Sequence, residues 1–241
     1  MDTSKLRLDT ARIWQALQDH PLLRGFVLIG GTALTLRIGH RISEDLDFAY
    51  TSSSRIPKGQ IKALLRSETA GRHRFVLNQD PAGVLQGEID GMPLEDYQQD
   101  YIVDDSVKVT FFSPEPEAAH FIPAQPGDRL RVATLDEIFA TKCLVCADRS
   151  KTRDWFDLYL LMTRHGYDMS DLYRVFEAAA ILPKFEIASI RLRTLQPLPG
   201  DEGYEHLLGE PISLEQMRGF FTEQIDALQV QLSKAALATH R

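Results

Sequence analysis

The chain has 241 residues, 44% of them hydrophobic and 25% charged, with a net charge of −7. This length and composition are enough to bury a real core and exclude a disordered chain. No block of five like charges occurs, which excludes an obvious tail for nucleic acid or membrane, so any RNA partner would have to be met by a local basic patch.

Residues from about Asp9 to Leu22 read as a helix, with Ile13, Ala16 and Leu17 in one stripe and Pro21 at its end. Phe26 to Ile29 is a short apolar run and reads as a buried strand. Gly30-Gly31 breaks it, and Thr32 is placed to cap a short helix that carries Ala33, Leu34 and Leu36 and stops at Gly39. Leu46 to Tyr50 is the next strand. A strand, turn, helix, strand unit of this kind builds a ligand crevice at strand ends. The serine-rich stretch Thr51 to Pro57 leads to a helix over Gly59 to Ala70. Short candidate strands follow at Arg74 to Asn78, Val84 to Ile89, Met92 to Leu94 and Val107 to Phe112, with Asp90-Gly91 as a hairpin turn between two of them. Ser113-Pro114-Glu115-Pro116 closes the sheet region.

The second half reads as helix. Thr134-Leu135-Asp136-Glu137 has the T-x-x-E spacing of a capping box before an apolar run that reaches about Arg149. Further helices are predicted over Arg153 to Arg164, Ser170 to Ala180 and Leu214 to Ala238. The boundary is read near Pro126-Gly127, giving a sheet domain over 1–127 and a helical bundle over 128–241, packed on it. The start, Met1-Asp2-Thr3-Ser4-Lys5, lacks the hydrophobic region of a signal peptide, and no stretch approaches a membrane span. A cytoplasmic protein with no membrane partner is expected.

Cys143 and Cys146 form a lone C-x-x-C inside a helical pattern, where two packing residues are the favoured reading over redox or zinc chemistry. The seven histidines are scattered, and no H-x-H, H-E-x-x-H, G-x-S-x-G or P-loop pattern occurs.

One constellation stands out. Asp45 and Asp47 are two apart at a strand start, so they project to one face while Leu46 and Phe48 point to the core. Adjacent carboxylates in a partly desolvated cleft are tolerated when a hard cation sits between them, and such oxygen ligands suit magnesium or manganese. Gly30 and Gly31 let backbone approach a phosphate closely, and the helix that begins near Thr32 offers unpaired amides to it. Arg41 and Ser43 lie just upstream of the acids, within reach of the same phosphate. In the second half, Lys142 and Arg149 share a helix face, and Asp154 and Asp157 share a face of the next helix. Functionally, Lys142 would hold triphosphate oxygens, and Asp154 or Asp157 would act as base or hold a sugar or base group. The plain alternative is a set of inter-helix salt bridges, and exposed pairs of that kind contribute only ~0–1 kcal/mol each.

The stretch from Gly30-Gly31-Thr32 through His40-Arg41, Ser43 and Asp45-Leu46-Asp47-Phe48 resembles the AbiEii/AbiGii nucleotidyltransferase toxin family, as does Lys142 through Arg149 with Arg153-Asp154-Trp155-Phe156-Asp157-Leu158-Tyr159. The resemblance covers about residues 25 to 165. It implies an α+β fold, a polymerase-β-like nucleotidyltransferase mixed sheet domain followed by a C-terminal helical bundle. It implies NTP binding with magnesium, a toxin role in a bacterial toxin–antitoxin or phage-defence system with a cognate antitoxin, and, from some members, nucleotide transfer to tRNA. Carried over, Asp45 and Asp47 look like the metal-binding acids and Lys142 like the NTP-contacting lysine. Asp154 looks like the second-domain catalytic acid, with Asp157 an alternative, and Gly30, Gly31 and Ser43 look like phosphate-loop residues. Many polymerase-β-like enzymes carry a third acid on a later strand. Here that strand reads Val107-Lys108-Val109-Thr110-Phe111-Phe112, and Thr110 stands at the acid's place. Either Asp154 compensates, or one metal suffices, or the protein binds nucleotide or antitoxin without turnover.

Overall fold

A computed structural model describes residues 2–78, 91, 93–124, 129–208 and 212–239. The chain forms two compact units, Met1–Ile138 and Phe139–Arg241.

The first unit is built on a mixed sheet of six described strands in the order β3-β4-β5-β2-β1-β6. The strands are β1 (Phe26–Ile29), β2 (Leu46–Tyr50), β3 (Phe75–Leu77), β4 (Gln98–Val103), β5 (Val107–Phe112) and β6 (Arg131–Val132). β1 and β2 are antiparallel, β2 and β5 parallel, and β4 runs antiparallel to both β3 and β5. The chain reaches β2 from β1 through α2 (Gly30–Ile38). Helices α1 (Leu8–Leu17) and α3 (Lys58–Leu65) complete this part of the unit, with α4 (Pro116–Ala119) after β5. One sheet face is an aromatic core. Phe48 stacks on Phe111 at 5.4 Å, and Phe26 and Tyr101 meet Phe111 edge-on. Fully buried aromatic rings in contact of this kind add to the burial of their area.

Helix α5 (Leu135–Asp148) crosses the boundary between the units. Its start is the predicted capping box: the Glu137 amide donates to Thr134 Oγ1 at 3.2 Å, and the Thr134 amide donates to Glu137 Oε2 at 2.8 Å. The second unit continues with α6 (Thr152–Arg164), α7 (Met169–Ala178), α8 (Pro183–Thr194) and α9 (Leu214–Thr239). α9 packs against α6, α7 and α8 around Trp155, Phe176 and Phe221, which are fully buried. A second capping box, between Asp168 and Asp171, starts α7.

The structure corrects several sequence expectations. The first helix ends at Leu17, and Pro21–Leu23 forms a separate 3-10 turn. Leu94 begins a 3-10 turn, not the end of a strand. β4, β6, α4 and α8 were not anticipated. The expected strand Val84 to Ile89, Met92, and Asp90 of the expected hairpin turn lie outside the described residues, as does the Pro126-Gly127 boundary. No described helix is long and apolar enough to cross a membrane.

Candidate functional site

In the first unit, the glycine turn and the acids meet where β1 gives way to α2. Ile29 is the N-cap of α2, and the helix begins at Gly30 itself. Thr32 is therefore inside the first turn and caps nothing, which corrects the expected capping role. Its hydroxyl instead bonds Ser43 Oγ at 2.7 Å and donates to the carbonyl of Asp45. Thr32 and Ser43 are both buried. Together they brace the loop that delivers Asp45 to the start of β2. Ser43 is held from the other side as well, by a bridge to Leu6.

The two glycines are required by contact. Gly30 has φ +75°, and a Cβ there would lie 2.9 Å from Asp47 Oδ2. The Asp47 carboxylate thus sits against the first turn of α2, where amides have no intrahelical acceptor and the helix dipole is positive. At Gly31, a Cβ would collide with the guanidinium of Arg41. Arg41 is 5% exposed and donates through Nη1 to the Ile42 carbonyl at 3.0 Å. Gly30, Gly31, Thr32, Arg41, Ser43, Asp45 and Asp47 are thereby gathered in one place within this unit.

Asp47 pairs directly with Thr110 across β2 and β5. Thr110 thus lies beside Asp47 on the neighbouring strand. It is 6% exposed, and its hydroxyl is buried without a partner. The donor set suits a hard cation: magnesium takes one or two carboxylates from a protein and completes its shell with phosphate oxygens and water. Among the described residues, no group of three or more His, Cys, Asp and Glu side chains is placed to hold an ion by itself. Asp45 and Asp47, both half-buried, fit an ion completed by substrate rather than an all-protein cage.

In the second unit, Lys142, Asp154 and Asp157 form one buried cluster, with Arg149 at its edge. Lys142 Nζ lies 2.6 Å from Asp154 Oδ1 and 2.7 Å from Asp157 Oδ2, and Arg149 Nε lies 2.8 Å from Asp154 Oδ2. Asp157 is fully buried, and Arg149 is half-exposed. The cluster is the set of inter-helix salt bridges of the plain reading, with the two Lys142 pairs buried rather than exposed. Burial pushes the Asp154 carboxyl up, but Lys142 and then Arg149 outweigh it and hold it below the ordinary aspartate value. Cys143 and Cys146 are both free and buried. Desolvation raises both thiols, Cys146 to about 12, the reverse of a reactive cysteine.

Sequence reasoning missed β4, which carries Asp100 beside Thr110. The alternation Gln98, Asp100, Ile102 against Gln99, Tyr101, Val103 was the signal available.

Residues 12–236 match the family model of the nucleotidyl transferase AbiEii toxin, Type IV TA system. An uncharacterized protein of Aquifex aeolicus (strain VF5) is 25% identical over 173 residues, which covers 71% of this chain and 74% of that protein. Among solved structures, a protein from H. pylori described as a nucleotidyltransferase has a TM-score of 0.50 at 19% identity, covering 98% of this chain and 99% of that one. At that identity the likeness is one of fold. MenT4, a nucleotidyltransferase toxin from Mycobacterium tuberculosis H37Rv, has a TM-score of 0.46 at 15% identity, covering 91% of this chain and 86% of that one.

Proposed function

The chain belongs to the AbiEii nucleotidyl transferase toxin family, and from that premise we propose that it transfers a nucleoside monophosphate from an NTP to an acceptor hydroxyl, with RNA, tRNA first, as the acceptor class. The observation that carries this reading is the Asp47 carboxylate seated against Gly30 at the first turn of α2, with Asp45 two residues before it. A phosphate site and a cation site then share one corner of the sheet. The family's description as part of a Type IV TA system supports a cognate antitoxin as partner.

In this reading Asp45 and Asp47 hold magnesium, or manganese in its place. When bound, the ion would neutralise phosphate charge and polarise the α-phosphoryl group. The α2 amides at Gly30 and Gly31 receive phosphate oxygens, and Arg41, packed on Gly31, adds fixed positive charge beside them. Thr32 and Ser43 position the acids through the Asp45 carbonyl. The acceptor oxygen forms a bond to the α-phosphorus as the bond to the β-phosphate oxygen breaks. Pyrophosphate leaves, and the acceptor's proton passes to solvent. Lys142, in the second unit, keeps the NTP-contacting role that the family resemblance gives it, and there it is held by Asp154 and Asp157. Asp154 is a weak base in its folded setting, so its role is to position the Lys142 ammonium, together with Asp157.

The test is direct. Purified protein with magnesium and each labelled NTP is expected to label an RNA in bulk tRNA, and Asp47→Asn is expected to lose at least ~10²–10³-fold of that rate, the scale of a lost electrostatic group in a preorganised site. Equal labelling by both proteins would end the reading. Thr110, at the place of an acid, favours a second reading, nucleotide binding without turnover. Calorimetry showing NTP binding with no pyrophosphate released would select it.

A further inference from the structure

β4, β5 and β2 are neighbours in the sheet, and their registers put three side chains in one row. Asp47 pairs with Thr110, and Thr110 pairs with Asp100. Directly paired residues project from the same sheet face. The other face is the aromatic core, so this row stands on the face that carries the candidate cation site. Two oxygens in the row are buried without a hydrogen-bond partner: Thr110 Oγ1 and Asp100 Oδ1. Thr110 is 6% exposed. The other Asp100 oxygen is used, since Oδ2 accepts from Gln98 Nε2 at 3.1 Å and lies 3.5 Å from Lys108 Nζ. A carboxylate placed only to pair with Lys108 has no reason to bury its second oxygen unpaired beside an unpaired hydroxyl.

We propose that Asp100 supplies the carboxylate that Thr110 does not, holding the far side of a second divalent cation whose near side faces Asp47. Strands lie ~4.8 Å apart, so the Cα atoms of Asp47 and Asp100, with one strand between, are roughly 10 Å apart. Two cations ~3.5–4 Å apart, each with an outer oxygen at ~2.1 Å, span about 8 Å from ligand to ligand. Side chains that stand perpendicular to the sheet keep the two carboxylates near that separation, which suits aspartates that flank two ions. Thr110 Oγ1, between them, is left as a neutral oxygen facing the pair. The ligand class is magnesium or manganese bridged by the phosphates of a nucleotide. The inference rests on the reading of Asp45 and Asp47 as cation ligands.

The experiment counts manganese by electron paramagnetic resonance, with the full chain and α,β-methylene analogues of the four NTPs, which bind without transfer. Wild type is expected to hold two spin-coupled ions per chain. Asp100→Asn is expected to hold one, with loss of the coupled signal and unchanged circular dichroism. Asp47→Asn is expected to hold at most one, at ten-fold or weaker affinity. Lys108→Ala, which removes the ion pair and keeps the carboxylate, is expected to hold both. Thr110→Asp placed in the Asp100→Asn background returns an acid to the row and is expected to restore the second ion, so the idea does not hang on one variant. Two coupled ions in Asp100→Asn, with Asp47→Asn still impaired, would overturn the Asp100 assignment and leave the proposed function standing. An Asp47→Asn protein that binds manganese as wild type does would overturn both.

Discussion

At the scale of single residues, Lys142 and Asp154 show how burial turns a plain ion pair into a pH-sensitive element. The Asp154 carboxyl is pushed up by burial, but Lys142 and Arg149 hold it below the ordinary aspartate value of 3.8. A group depressed on folding adds stability above its unfolded value, and that stability is lost as pH falls through the folded one. Urea midpoints should therefore be steady above about pH 5 and fall as the pH drops below the aspartate range. Asp154→Asn should be less stable at neutral pH and show a shallower fall in acid. An equal acid slope in both proteins would contradict the assignment. Gly30 gives the second test at this scale. Its φ of +75° and the 2.9 Å approach of Asp47 Oδ2 leave no room for a methyl group. Gly30→Ala should cost about 1–2 kcal/mol in chemical denaturation from the left-handed backbone alone, and manganese affinity should fall with it because Asp47 must move. That Gly30 and Asp47 come together was legible in the sequence, because a glycine turn after one strand and an acid early in the next bring the two to one end of the sheet. Thr32 was misread as a cap, because a cap depends on where the helix starts. The left-handed Gly30 starts α2 three residues earlier than a Thr32 cap would.

At the scale of elements, the legible ones were those with a uniform signal. β1 and β2 were bounded to the residue, since an unbroken apolar run and a Leu-Asp-Phe alternation leave little choice. β4 was not seen. It opens with two glutamines and an aspartate, and its apolar positions, Tyr101 and Val103, are made interior only by pairing with β5. β6 is two residues long and exists through its parallel pairing with β1, which no local pattern reports. α8 begins at Pro183 and carries exposed Ile187 and Ile190, so its stripe is blurred. The capping box at α5 was legible and carries a prediction. Thr134→Ala removes one cap and should cost ~0.5–2 kcal/mol. Glu137 does more: besides the Thr134 amide it accepts two bonds from Arg131, at 2.6 and 2.8 Å, and it is buried. Glu137→Ala takes both carboxylate oxygens from the part-buried Arg131 guanidinium as well as from the Thr134 amide, so it should be the more damaging change, at the ~1.5–3 kcal/mol scale of charged hydrogen bonds. Paired urea melts decide it, and equal losses would mean that the Arg131 fork contributes nothing.

For the whole molecule, charge sets how an acceptor is met. The chain carries 34 acidic and 27 basic side chains and no long run of either sign. Several basic groups are already committed within their own units. Arg131 is bound by Glu137, Lys142 by Asp154 and Asp157, and Arg153 by Glu202. A protein that neutralises six to ten phosphates loses ~10³–10⁵ in affinity between 50 and 200 mM salt, because each neutralised phosphate releases its counterion. An overall charge of −7 cannot assemble that many contacts without a basic face, and long-range repulsion of a polyanion is itself relieved by salt. Filter binding of bulk tRNA across that salt range should accordingly change by less than about tenfold, the slope of one or two phosphates on a single strand. An acceptor recognised this way is selected by fit at the site and not by electrostatic capture. A slope equal to six or more phosphates would reveal a basic surface that the charge pattern does not predict, and would move acceptor recognition away from the corner of the sheet where Gly30 and Asp47 meet.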